Sequence, residues 1–308
     1  MDTAEPFCEP SLNPIQRLID KYPGWFFVLP ALIVIFAIVV YPFAYALRLS
    51  FLSLSFQRPE MSGQFIGFGN YLSLLHDSKF WYSAQITLVY VVSVTVAEIV
   101  LGMAVALLFN RELKARRVLI SILMIPMILA PVVVGLMYSF LLNNEFGTFM
   151  YYVKQLGFFR QTSLFARPLA TQITIVLMDI WEYTSFYALI MLAGLHALPK
   201  GPYEGAKVDG ASDWQTFWWI TIPTLMPLIV VATILCLIAS FKTFDQIYIL
   251  TGGGPSSATE LLSIYAWRIN FYYWNMGYGA ATVMMIAAFT MIICGALYFV
   301  VQRRIKLF

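Results

Sequence analysis

Charged side chains are almost absent from six long stretches of this chain, and that absence constrains the fold more than any other feature. The stretches run over about 25–47, 84–109, 118–142, 168–198, 217–241 and 277–301. Each reaches or exceeds the roughly 20 residues that a helix needs to cross hydrocarbon. Only 11% of the 308 residues are charged and 60% are hydrophobic, where a soluble domain carries about 25% charged residues. The mean hydropathy is +0.77. The pattern predicts an all-α integral membrane protein with six transmembrane helices: a polar N-terminal segment, 1–24, then a membrane domain, 25–308. The first run is too long for a signal-peptide core and ends in no small-residue cleavage site. Pro30 and Pro42 lie inside the first run, where neighbouring helices can re-satisfy the freed backbone groups; Pro126 and Pro131 lie inside the third.

Basic residues set the orientation. The short segment between the second and third runs holds Arg111, Lys114, Arg116 and Arg117. Short basic loops face the cytoplasm, so both termini are expected there, together with the segment 199–216. Arg17, Lys21, Arg303, Arg304 and Lys306 fall on the same side. A net charge of +3, with the bases beside the runs, offers no nucleic-acid surface.

The segment between the fourth and fifth runs cannot sit in hydrocarbon. In EGAKVDGASDWQTFWWITIPTLMP, residues 204–227, Gly201-Pro202 places proline at a helix start and Glu204 complements the positive end of the dipole. Gly210 can take the left-handed conformation that stops a helix. Ser212 with Gln215 three residues on forms a capping-box signal. The segment reads as a short helix, a sharp turn and a second helix on the membrane face, suited to docking a soluble protein; an ordinary interhelical loop is the plain alternative.

Few other residues carry chemistry. Asp179 and Glu182 share one face of the fourth run, with Trp181, Tyr183 and Tyr187 nearby. Ionisable groups inside spans face a cavity or a partner, and carboxylates with aromatic rings suit a carbohydrate. These five residues are the expected substrate path, the competing reading being structural packing against a partner. Glu98 is expected to bond another helix. Lys242 and Asp245, at the end of the fifth run, are expected at a gate or a binding-protein contact. Cys8, Cys236 and Cys294 have no ligand or disulfide spacing, His76 and His196 have no metal-site partners, and Thr251-Gly-Gly-Gly-Pro255 is not followed by the Lys-Ser/Thr of a phosphate loop. No catalytic residue and no directly bound cofactor or metal is expected.

The polar segment resembles the EAA loop of bacterial ABC importer permeases, with pattern E-A-A-x-x-D-G-A and a later I-x-L-P. Glu204, Ala206, Asp209, Gly210, Ala211, Phe217, Ile220 and Pro223 occupy matching positions, with Gly205 for the second alanine and Ile222 for leucine. Residues 125–147, 179–199 and 241–255 are similar to the maltose-type and glycerol-phosphate-type sugar permeases, although Ser185 and Glu182 replace a frequent proline and basic residue. The resemblance implies a type I ABC importer permease fold in the bacterial cytoplasmic (inner) membrane. It also implies these partners: a second homologous permease, a cytoplasmic ATPase dimer carrying ATP and Mg, an extracytoplasmic binding protein and a sugar. Coupling to the ATPase would fall to Glu204, Gly205, Ala206, Asp209, Gly210, Ala211, Phe217, Ile220 and Pro223. A permease for a non-sugar solute is the nearest alternative. A secondary transporter is disfavoured, because no internal duplication is visible.

Overall fold

The computed structural model describes residues 23–57, 60, 63–111, 113–159 and 162–305. Cys8, Arg17, Lys21, Arg58, Arg160 and Lys306 lie outside them. The architecture is mostly helical. Among the described residues five helices are long and apolar enough to cross a membrane: Val28–Ser50 in α1 (23–50), α3 (Ser78–Phe109), α7 (Pro168–His196), α9 (Asp213–Lys242) and Met276–Val301 in α12 (Met276–Ile305). Shorter helices join them: α2 (Gly69–Leu75), α4 (Arg116–Ile128), α5 (Pro131–Leu141), α6 (Thr148–Gln155), α8 (Gly201–Val208), α10 (Asp245–Thr251) and α11 (262–272).

The bundle is built on α3, α7 and α9, whose buried residues form a series of clusters along their length. Near the α8 end, Met103 and Ala106 of α3 meet Tyr187 and Met191 of α7 and Leu225 of α9. Farther along, Tyr90, Val94, Met178, Leu237 and Ile247 pack together. At the opposite end Leu74, Phe80, Leu262, Tyr265 and Ala281 join α2, α3, α11 and α12. Lipid is as apolar as these side chains, so close van der Waals fit, not dehydration, holds such helices together. Gly102 shows the fit: a Cβ there would sit 2.7 Å from Cδ1 of Tyr187 and 3.1 Å from the backbone N of Ala188. Gly135 does the same for α5 and α10, where a Cβ would lie 2.7 Å from the carbonyl oxygen of Gln246.

Four features depart from the sequence expectation. The third run, read as one span over 118–142, is two helices meeting at 93°. Pro131 opens α5, and Leu129 and Ala130 are both extended (ψ 142° and 135°), the conformation that proline imposes on its predecessor. The second helix starts at Ser78 because Asp77 caps it, accepting from the Lys79 amide at 2.8 Å. The helix after the polar turn is not separate: α9 continues from Asp213 to Lys242 through a π turn at Phe217–Thr221. Finally, the structure is not purely helical, since β1 (Leu52–Ser53) pairs antiparallel with β2 (Gln64–Phe65). Asn70 secures that ribbon by donating to the carbonyls of Ser50 and Leu52.

Candidate functional site

The polar turn is assembled from two reciprocal caps. Gly210 has φ +74°, which lets the chain reverse after Asp209. The amide of Ala211 then donates to the carbonyl of Ala206 at 2.9 Å and that of Gly210 to Lys207 at 3.2 Å. This pair of bonds is the Schellman closure of a helix. Two residues later Ser212 and Gln215 form a full capping box that starts α9. The Tyr203 hydroxyl donates to Thr221 Oγ1 at 3.0 Å and ties α8 to the first turns of α9. No residue of α8 is buried. Glu204, Gly205, Asp209 and Gly210 are exposed, as are Val208 (88%) and Trp214 (70%); Ala206, Ala211, Phe217 and Ile220 are half-buried, and Pro223 lies in the following turn of α9. A Cβ at Gly205 would meet nothing within 4 Å.

The acids of α7 point into the bundle. Asp179, Glu182 and Tyr187 are 2%, 1% and 0% exposed, whereas Trp181 is 41% exposed and Tyr183 half-buried. Gln246 of α10 donates from Nε2 to Asp179 Oδ1 at 2.5 Å, with the Tyr90 phenol beside the same carboxylate. Glu98 is also buried, next to the Cys236 thiol of α9. One oxygen each of Glu98, Glu182 and Gln246 has no hydrogen-bond partner among the described residues. The indole of Trp181 leans on Tyr138 of α5, ring centroids 5.9 Å apart. A cavity of about 280 Å3 runs between α3 and α7 from Tyr82 to Tyr90, past Gln172. The result is a polar seam inside an apolar bundle, able to exchange hydrogen bonds with a hydroxylated solute.

The structure thus separates the sequence-selected residues into three places. The residues expected to couple to an ATPase cluster at the α8 turn and the first turns of α9. The residues of α7 line or back the seam. Lys242 and Asp245 are exposed at the far end of α9 and the start of α10. Two relationships had no counterpart in the sequence reading. Gln246 was one, although an amide inside the apolar string FDQIYIL is a usable signal. The other is the contact at 2.7 Å between Arg116 Nη2 and His196 Nε2, which joins partners 80 residues apart that no local pattern connects. Among the described residues no group of His, Cys, Asp and Glu could hold a metal ion.

Residues 98–306 match the family described as binding-protein-dependent transport system inner membrane component. The chain is 34% identical over 271 residues to the trehalose/maltose transport system permease protein MalF of Thermococcus litoralis, covering 88% of this chain and 90% of that one. It is 34% identical over 272 residues to the sulfoquinovosyl glycerol transport system permease protein SmoG of Agrobacterium fabrum, covering 88% of each. Among solved structures it superimposes with a TM-score of 0.79 on a chain of a bacterial alginate ABC transporter crystallised with alginate pentasaccharide-bound periplasmic protein. That match covers 96% of this chain and 99% of the other at 20% identity. At that identity the likeness is one of fold.

Proposed function

As this chain belongs to the family of binding-protein-dependent transport system inner membrane components, we propose that it is the sugar-translocating permease subunit of an ATP-driven importer. Its membrane domain crosses the bacterial inner membrane six times with both termini in the cytoplasm, the bent pair α4–α5 supplying the third crossing. The permease is not itself an enzyme: ATP with Mg is hydrolysed on a separate ATPase dimer. A second homologous permease completes the pathway, and an extracytoplasmic binding protein delivers the sugar. Membership of an ATP-driven family removes the secondary-transporter alternative.

One observation carries the mechanism: an exposed, doubly capped turn joins the two helices that bracket the polar seam. Glu204 and Asp209 offer charge to the ATPase, Gly205 leaves an open notch, and Gly210 holds the reversal. Closure of the ATPase around nucleotide moves α8, and the move passes into α7 and α9 together. The sugar follows the exposed face of Trp181 and Tyr183, with Asp179, Glu182 and Tyr187 acting behind it. Lys242 and Asp245 face the binding protein at the outer end.

The test is a cysteine at Val208, whose side chain is 88% exposed, in the complete importer. A short bifunctional thiol reagent should join it to a cysteine in the ATPase surface cleft and stop sugar uptake, with reduction restoring both. Absence of any adduct across a scan of the ATPase surface would overturn the docking role.

A further inference from the structure

A second cavity, of about 410 Å3, opens at the end of the bundle away from α8, between the start of α3 and the 252–273 region. Its wall is a fixed polar frame. Asp77 accepts from Tyr265 at 2.6 Å and from Tyr278 at 2.8 Å through Oδ2, while its Oδ1 caps α3. Across the cavity Arg268 pairs with Glu260 at 2.7 Å and donates to the carbonyl of Gly252 at 3.0 Å. That clamp holds a loop with four residues in the left-handed region, Gly252, Gly253, Ser256 and Ser257, and Trp274 beyond the following helix is a fifth. Non-glycine residues held there persist only where their surroundings over-determine them, and they cluster at functional sites.

Hydrogen-bonding capacity remains on this frame. Ser257, Tyr82 and Tyr273 line the cavity, and their hydroxyls have no partner among the described residues. Aromatic rings and hydroxyls share the lining with Asp77 and Glu260, whose carboxylates are already fixed in place, and that mixture is the chemistry that holds a polyhydroxylated ring. A volume of about 410 Å3 falls in the range of roughly 300–1,000 Å3 typical of small-molecule sites. Tyr82 is also shared with the α3–α7 cavity that leads to Tyr90 and so to Asp179. Tyr82 and Tyr90 are two turns apart on one face of α3, about 12 Å at 1.5 Å per residue.

We propose that this cavity is an outer holding site for a mono- or disaccharide, occupied after release from the binding protein and before the solute reaches the Asp179 seam. The inference rests on the sugar-permease function. It adds a site nearer the outer surface, with Ser257, Tyr82 and Tyr273 as contacts and Asp77 and Arg268 as positioning residues.

Ser257→Cys in the complete importer, with Cys8, Cys236 and Cys294 replaced by alanine, provides the readout. Labelling by a membrane-impermeant methanethiosulfonate is followed without binding protein, in the presence of trehalose, maltose, glucose or glycerol phosphate. The solute that the importer transports should slow labelling at least fivefold, and Tyr273→Ala should remove that protection. Thr148→Cys, on the separate helix α6, should label at one rate throughout. ATP hydrolysis stimulated by loaded binding protein reports that each variant is assembled. Unchanged labelling of Ser257→Cys by a solute that the same complex demonstrably imports overturns the holding site and leaves the permease function standing. Failure to import any sugar, with ATP hydrolysis intact, overturns the sugar reading and this site with it.

Discussion

Gln246 donates its amide to Asp179 at 2.5 Å, and both side chains are almost completely buried, at 1% and 2% exposure. The bond fastens α10 to α7 across the polar seam. Removing one partner of a buried polar pair leaves the other unsatisfied, at about 1–3 kcal/mol. Gln246→Leu should therefore lower the thermal midpoint of the purified complex and reduce uptake. Asp179→Asn keeps a side-chain carbonyl to accept the same bond and should retain most of the stability. Equal losses in the two variants would show that carboxylate charge, not the hydrogen bond, matters.

Gly102 makes a second contrast. Valine there must push against Tyr187 and the Ala188 backbone, and overpacking a close contact costs about 1–3 kcal/mol. The same reasoning leaves Gly205 free, since a Cβ there meets open space. Gly205→Ala should firm α8 by about 0.5–1 kcal/mol while Gly102→Val destabilises the fold. Thermal unfolding of the detergent-solubilised subunit, followed by tryptophan fluorescence, separates the two.

Gly210 stands at φ +74°, where a β-branched residue is strained by roughly 1–2 kcal/mol. Gly210→Val should loosen the reversal between α8 and α9 without touching the seam. In reconstituted vesicles ATP hydrolysis should continue while sugar uptake falls at least tenfold. Gly210→Asn, which tolerates the left-handed region, should recover much of the loss. Wild-type uptake by Gly210→Val would remove the turn from the coupling route.

The end of the bundle away from α8 carries a pH dependence. Burial alone would push the Asp77 carboxyl up. Hydrogen bonds from the Tyr265 and Tyr278 hydroxyls and from the Lys79 and Phe80 amides outweigh it and hold the group below the usual carboxylate range. A depressed carboxyl contributes stability that is complete above its unfolded pKa, about 3.9, and disappears as pH falls through the lower folded value. The difference in hydrogen exchange at the start of α3 between wild type and Asp77→Asn should therefore be constant at neutral pH and close below about pH 4. A difference that persists unchanged to pH 2 would detach Asp77 from this effect.

Local chemistry was legible in the sequence and long-range pairing was not. The caps around Gly210 and the Ser212–Gln215 box depend on neighbours along the chain, and both formed at the residues whose types require them. The break at Leu129–Ala130 is present in the sequence as Pro131, but the apolar run around it reads as one span. Hydropathy averages over such a run, whereas a single missing amide donor decides the geometry. Asp77 likewise marked the start of α3, six residues before the apolar average rises. The Asp179–Gln246 and Arg116–His196 contacts bridge 67 and 80 positions, distances over which periodicity carries no information.

The continuity of α9 has a geometric consequence. A 30-residue helix is about 45 Å long at 1.5 Å per residue, so a tilt of about 5° at its α8 end displaces its far end by about 4 Å. The far end is Lys242, three residues before α10 and four before Gln246. A small rotation imposed at the α8 turn would thus arrive, enlarged, at the hydrogen bond that closes the seam. The π turn at Phe217–Thr221 lies between the α8 turn and the far end, and its looser winding is where part of such a rotation would be absorbed.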